Sequence, residues 1–223
     1  MNIFGFESLP STNTYAIEHF DEYQHQDIIM AQVQTAGKGR KGRRWSSEVG
    51  GLYFTVILKP VAPELEKLSS LTQIMAISVC KAIRKLGAKA YLKWPNDLLY
   101  KGQKFCGILS EAVMNGTDFK GLVIGVGVNI EQEIIISDKP FTSLAEMGLK
   151  VSKSVLIENI FSHFESMPKT DFKDEFKRLC PTFGKEIIID GKTGIFEDID
   201  DCGRMIFKTE KGRETIIAGD VNF

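Results

Sequence analysis

An α+β fold, with a mixed and mainly antiparallel sheet, packed helices and a small C-terminal β-barrel, is predicted by three features of the sequence. Apolar β-rich runs outnumber helical patterns along most of the chain. One long stretch, Glu64 to Leu86, instead repeats Leu68, Leu71, Met75, Val79 and Ile83 at helical spacing. After Pro181 the character changes to short β runs separated by glycine turns at close intervals.

The elements follow in order. Ile3 to Glu7 reads as a strand, and Ser11 or Thr12 can cap a helix through about Phe20, because a hydroxyl there accepts from the free N–H groups of the first turn. Ile28 to Gln34 and Leu52 to Leu58 read as strands of a hairpin, the second ended by Pro60. Gly87 supplies a left-handed stop for the long helix. Ala90 to Trp94, Lys104 to Glu111 and Leu122 to Val128 are predicted as successive strands, with a turn at Pro95 to Asp97. Val155 to Phe164 and Phe172 to Leu179 are predicted helices. The barrel runs are Glu186 to Ile189, Lys192 to Phe196, Met205 to Thr209 and Glu214 to Ala218. This divides the chain into residues 1–179 and a smaller domain of residues 180–223.

Composition narrows the function. Lys and Arg number 28 against 29 Asp and Glu, so no global field draws the chain to DNA or to an anionic membrane. No apolar run reaches the length of a membrane span, and the N-terminus lacks the pattern of a signal peptide. Cys80, Cys106, Cys180 and Cys202 are scattered and form no CxxC pair, which argues against a zinc site or a disulfide framework and for buried free thiols in a cytoplasmic protein.

The most informative segment is Gln34 to Trp45, where Lys38, Arg40, Lys41, Arg43 and Arg44 alternate with Gly37, Gly39 and Gly42. Glycine lets the backbone approach a ligand, and the cations can neutralise phosphate oxygens. A solvated basic loop and a nucleic-acid patch compete with this reading, although no aromatic interleaving extends the patch. The glycines satisfy G-x-G-x-x-G, but Arg-Arg-Trp-Ser-Ser is no apolar helix start, and Gly42-Arg43-Arg44 is not the Gly-Lys-Ser/Thr end of a Walker A loop. Two more segments stand out: Lys93-Trp-Pro-Asn-Asp97 with Lys104-Phe-Cys-Gly107 behind it, and Gly125-Val-Gly-Val-Asn129. Each alone is explained by a stiff β-turn or by a bulged strand.

Together and in this order, Ser11-Thr12-Asn13, the basic glycine loop, Lys93-Trp-Pro-Asn-Asp97, Gly125-Val-Gly-Val-Asn129 and Thr142-Ser-Leu144 resemble the catalytic core of biotin–protein ligases. The segment after Pro181 is similar to the small SH3-like C-terminal domain of that family. The resemblance implies the class II synthetase-like biotin–lipoate ligase fold. It also implies a reaction in two halves, biotinyl-5′-AMP formed from biotin and ATP, then transfer to a lysine of a biotin carboxyl carrier protein or domain. The chain begins at the catalytic strand, so a form without the DNA-binding domain of the bifunctional repressors is expected, with no DNA or membrane partner; a homodimer is compatible with the sequence.

By the same resemblance, Lys104 and Arg40 are catalytic and Asp97 accepts the proton of the incoming lysine. Biotin falls to Ser11, Thr12, Asn13, Gln34, Gly37, Lys38, Gly39, Arg40, Lys104 and Gly107. ATP falls to Lys38, Arg40, Arg43, Trp45, Lys93, Asn96, Lys104 and Asn129. Mg2+ is expected to travel with the triphosphate, held by phosphate and water rather than by a protein metal site. Lys38 departs from the arginine many family members carry, keeping charge but losing the planar fork. A lipoate–protein ligase and a non-catalytic binding module are the alternatives; the loop and Lys93-Trp-Pro-Asn-Asp97 favour biotin, and Lys104 with Arg40 favours catalysis.

Overall fold

The computed structural model describes residues 1–59, 68–132, 140–167 and 172–222 of the chain. The first elements are β1 (Ile3–Leu9), α1 (Thr12–Glu18), β2 (Ile28–Gln34) and β3 (Leu52–Leu58), followed by α2 (Leu68–Lys85). Then come β4 (Tyr91–Lys93), β5 (Asp97–Tyr100), β6 (Gln103–Asn115) and β7 (Asp118–Val128), and the helices α3 (Lys153–Ser166) and α4 (Phe172–Leu179). The chain closes with β8 (Glu186–Ile189), β9 (Lys192–Ile199), β10 (Met205–Thr209), β11 (Gly212–Ile216) and β12 (Val221–Asn222). Two compact units result, one from the described parts of 1–64 and 100–153, the other from those of 65–99 and 154–223.

In the first unit the strands lie in the order β1-β2-β3-β7-β6. Only β1 and β2 run parallel; β2–β3, β3–β7 and β7–β6 are antiparallel. Every residue of β3 is buried, so its unbroken run Leu-Tyr-Phe-Thr-Val-Ile-Leu reflects a strand covered on both faces. Helix α1 presents Ala16 to a core shared with Phe20, Tyr23, Ile29, Ile57, Val113 and Val123. Ser11 is its N-cap, accepting from Thr14 N at 3.4 Å. The helix ends at Glu18, and Phe20 belongs to a separate 3-10 turn, Phe20–Glu22.

In the second unit, β4 and β5 form a hairpin that pairs Lys93 with Asp97. Asp97 therefore opens a strand, where a turn residue was expected. Helix α2 ends at Lys85, one residue before the expected Leu86, and Gly87 follows with a φ of +105° that suits glycine, as expected. Its expected start at Glu64, and Pro60 as the end of β3, lie outside the described residues. The C-terminal strands form an antiparallel sheet in the order β11-β10-β9-β8-β12, with Phe196, Phe207, Ile187 and Met205 buried within it. Strand β9 runs on to Ile199 and β11 begins at Gly212; Val221–Asn222 adds a short strand that carries no alternation to betray it.

Candidate functional site

In the first unit the basic segment closes on itself directly after β2. Trp45 N donates to Gly37 O at 2.9 Å and Gly39 N to Arg43 O at 2.7 Å, and Lys38 bridges Arg44. Lys41 (φ 56°) and Gly42 (φ 72°) turn the chain at the tip. A β-carbon at Gly37 would stand 2.5 Å from Trp45 O and 2.6 Å from Ser47 Oγ, so no other residue fits there. Residues Thr35 to Arg44, with Leu109 and Glu111 of β6, line a cavity of about 900 Å3. Five cations thus face one open volume, an arrangement that attracts a multiply charged anion.

Beneath the loop lies a buried polar cradle. Gln34 Oε1 accepts from Thr12 N (2.8 Å) and Thr12 Oγ1 (3.1 Å), while Gln34 Nε2 donates to Ser47 Oγ at 2.8 Å. Thr55 Oγ1 lies 2.8 Å from Thr12 Oγ1 and 2.7 Å from Asn13 Oδ1. Asn13 Nδ2 donates to Leu109 O (3.1 Å) and Glu111 Oε2 (2.7 Å). The protons balance when Thr12 donates to Gln34 or Thr55 and Thr55 donates to Asn13. Such a network fixes the rotamers of neutral donors and acceptors, which suits recognition of a polar uncharged head group.

Strands β6 and β7 set Gly107 opposite Gly127, and the Trp45 indole lies over this pair. A β-carbon at Gly127 would collide with Trp45 Nε1, and one at Gly107 would approach Trp45 Cζ3 to 3.0 Å and Lys104 Nζ to 3.2 Å. The Lys104 ammonium stands 5.0 Å from the indole centroid, a cation–π contact. Trp45 Nε1 is a buried donor with no acceptor among the described residues. Gly125, two residues back, leaves room for Asn13, whose Oδ1 a β-carbon would strike. The glycines of this strand are thus explained by the side chains lying on it.

Asn129 follows the last residue of the same strand and sits in a scaffold of its own. Its Nδ2 donates to Thr142 O at 3.1 Å, and its Oδ1 accepts from Gln132 Nε2 at 3.2 Å. Gln132 in turn donates to Tyr53 OH at 3.0 Å. Burial pushes the Tyr53 phenol above its ordinary range, so it stays a neutral donor to Glu48 O. Lys104 N donates to Pro140 O and Lys104 O accepts from Thr142 N, both at 3.0 Å, which fixes the lysine's backbone.

The second unit carries the Lys93–Asp97 turn. Trp94 is buried and the Trp94–Pro95 peptide is cis. Among the described residues no group of three or more His, Cys, Asp or Glu side chains could hold a metal ion.

A model of the biotin/lipoate A/B protein ligase family matches residues 5–129, more than half of the chain. The chain belongs to the biotin/lipoate A/B protein ligase family. A model of the biotin protein ligase C-terminal domain matches residues 182–223. The bifunctional ligase/repressor BirA of Bacillus subtilis (strain 168) is 30% identical over 214 residues, covering 87% of this chain and 65% of that protein. This member of the family therefore spans 65% of the length of that relative. The biotin–[acetyl-CoA-carboxylase] ligase of Paracoccus denitrificans is 28% identical over 239 residues, covering 96% and 97% of the two chains. A solved biotin protein ligase from Aquifex aeolicus, in complex with biotin and ATP, has a TM-score of 0.82 at 26% identity over 99% of this chain and 97% of that one. The α+β architecture with its antiparallel C-terminal sheet is the one this biotin/lipoate ligase family uses.

Within the first unit, Thr12, Asn13 and Gln34 meet in the cradle, and Ser11 caps α1 next to them in the chain. Gly37, Lys38, Gly39, Arg40 and Arg43 line the cavity, and Trp45, Lys104 and Gly107 meet over the glycine pair. Lys93, Asn96 and Asp97 belong to the second unit. Three residues of the cradle carry no motif: Ser47, Thr55 and Glu111. Thr55 had one signal, a polar residue inside an otherwise apolar strand. Of the cysteines, Cys80, Cys106 and Cys180 are buried as expected, whereas Cys202 is half-exposed in the turn between β9 and β10.

Proposed function

We propose that this chain is an ATP-dependent biotin–protein ligase. The observation that carries the reading is the juxtaposition of a buried neutral cradle (Thr12, Gln34, Ser47, Thr55) with a cavity lined by five cations, joined through the bond from Gln34 to Ser47 and from Ser47 Oγ to Trp45 O at 3.2 Å. Biotin pairs an uncharged ureido ring with a carboxylate, and its activation brings that carboxylate against a triphosphate. One site must therefore satisfy a polar head and screen repelling anions.

In this reading a biotin carboxylate oxygen attacks the α-phosphorus of ATP, pyrophosphate leaves, and biotinyl-5′-AMP stays bound. Lys104 stands between carboxylate and α-phosphate, stabilising the charge that builds there; Arg40 and Lys38 close over the mixed anhydride, and Arg43 and Trp45 face the nucleotide. The Trp45 N–H, which has no acceptor among the described residues, suits a ligand oxygen or nitrogen. A carrier lysine then attacks the acyl carbonyl, its proton passes to Asp97, and AMP leaves. Lys93, Asn96 and Asn129 complete the nucleotide side. Five cations and one carboxylate, Glu111, line the loop's cavity among the described residues, so Mg2+ would come with the triphosphate, neutralise phosphate charge and be held mainly by phosphate and water. Residues 1–179 would hold the chemistry and 180–223 the appended SH3-like domain.

The partner is a biotin carboxyl carrier protein or domain in the cytoplasm, and no DNA is required. No helix among the described residues is long and apolar enough to cross a membrane. The test is incubation of the protein with biotin, Mg-ATP and an apo carrier domain, followed by intact mass. Addition of one biotinyl group, lost when the carrier lysine is changed to arginine, is the expected result. Modification by lipoate and not by biotin would overturn the reading.

A further inference from the structure

Within the second unit, the residues beside Asn96 and Asp97 are gripped by the turn joining β9 to β10. That turn is closed on itself: Asp200 N donates to Arg204 O and Gly203 N to Asp200 O, each at 2.9 Å. The Asp200 carboxylate accepts from Cys202 N and Arg204 N, both at 2.9 Å, and from Arg204 Nε at 2.6 Å. Loop tips usually turn their carbonyls to water. Gly203 is buried instead, and its carbonyl oxygen accepts from Trp94 Nε1 at 3.1 Å and from Gln73 Nε2 at 3.2 Å.

Gln73 Nε2 donates a second time, to Pro95 O at 3.3 Å. One glycine carbonyl thereby ties down the side chain of Trp94 directly and the main chain of Pro95 through Gln73. Trp94 and Gln73 are 1% and 4% exposed, so water cannot replace a lost partner. Glycine is required twice at position 203: φ is +77°, and a β-carbon would stand 2.8 Å from Gln73 Cδ. The Trp94 ring also meets Phe196 of β9 edge-on, with centroids 6.5 Å apart.

We propose that Gly203 is a positioning residue for the turn that bears Asn96 and Asp97. Through it the C-terminal domain fixes where those side chains stand for the nucleotide and for the acceptor lysine. The proposal rests on the ligase reading above. It gives residues 182–223 a task in the reaction that asks no side chain of theirs to touch substrate. The reasoning is mechanical. Catalytic groups work only within a fraction of an ångström of their productive place, and a hairpin turn clamped on both sides of Pro95 has little freedom to leave it.

The test uses the full chain, with Trp94→Phe and Gln73→Leu each removing one donor to the Gly203 carbonyl, and Gly203→Ala displacing Gln73. Measured together are thermal stability, biotin affinity by calorimetry, the KM for ATP, the rate of transfer to a carrier domain, and amide hydrogen exchange at residues 96–99. Expected for both donor variants is biotin affinity within twofold of wild type, with the KM for ATP raised or transfer slowed about three- to tenfold, the weight of one hydrogen bond. Exchange at Asn96 to Leu99 accelerates, and Gly203→Ala shows the same pattern more strongly. Unchanged ATP kinetics, transfer and exchange in the folded variants would overturn the proposal. So would a parallel fall in biotin affinity and every rate, which marks general destabilisation. If wild type itself fails to activate biotin, the ligase reading has failed, while the exchange measurement still decides whether Gly203 holds the turn.

Discussion

Thr55 tests the cradle most cleanly, because it is fully buried and its hydroxyl joins the two neighbouring residues Thr12 and Asn13. Thr55→Val keeps the branched shape and removes the oxygen. Thr12 can turn its proton to Gln34 Oε1, 3.1 Å away, but Asn13 Oδ1 is left as a buried acceptor without that donor. Asn13 is 3% exposed, so stranding its oxygen costs about 2–3 kcal/mol, the upper part of the usual range, offset by roughly 1 kcal/mol from the added apolar burial. A net loss of about 1–2 kcal/mol lowers Tm by roughly 2–8 °C for a chain of this size. If the disordered carboxamide and hydroxyl weaken recognition by the same amount, biotin affinity falls about 5- to 30-fold. Differential scanning calorimetry and biotin titration measure the two, with Thr55→Ser, which restores the hydroxyl, expected near wild type on both. The reasoning is refuted if Thr55→Val binds biotin as tightly as wild type, or if Thr55→Ser fails as badly.

Lys104→Ala should stay folded and bind biotin weakly while adenylate formation falls about 10²- to 10³-fold, read by single-turnover quench; near-normal adenylation would remove Lys104 from the mechanism. Arg40→Gly should still form adenylate but release it early, so that lysines of a bystander protein become biotinylated, whereas label confined to the carrier would mean that Arg40 does not retain the intermediate. Burial would raise the Asp27 carboxyl, but Gln24 N, Asn2 N and the Asn2 amide donate to it and, with the terminal ammonium, hold it below its ordinary range. Its contribution is therefore complete above the ordinary carboxyl range of about 4 and is lost as pH falls through the depressed native value. Asp27→Asn should cost about 1–3 kcal/mol at pH 7 by denaturant titration, with the gap to wild type closing in acid; a gap independent of pH would contradict this.

Two strands were legible from end to end, since Leu52–Leu58, buried throughout, and Ile28–Gln34, exposed only at Gln32, are β-rich runs whose ends the structure reproduces. Strand β5 was not, because Asp97-Leu-Leu-Tyr100 is short and begins on a residue that reads as part of a turn. The hairpin of β6 and β7 outgrew its expected ends because several of the added residues, among them Ala112, Met114, Asn115 and Asp118, are exposed, and there pairing rather than burial sustains the strands. The loop stood out through residue chemistry, whereas the Ser11-Thr12-Asn13 triplet stood out only through its resemblance to the ligase motifs, since a helix cap accounts for Ser11 or Thr12 by chemistry alone. Glu111 could not, since its partner Asn13 is 98 positions away and no local pattern links them. Nor could Gly203, which looks like any other turn glycine until Trp94 and Gln73 are seen donating to its carbonyl.

Biotin-dependent exchange of labelled pyrophosphate into ATP tests the central claim most directly, because it reports reversible adenylate formation with no carrier present. The purified protein should catalyse exchange with biotin, and not with lipoate or without an acid. Exchange with lipoate alone would assign the cradle to a different substrate, and absence of exchange with any acid would contradict the account of Lys104 and the basic loop as acyl-activating machinery.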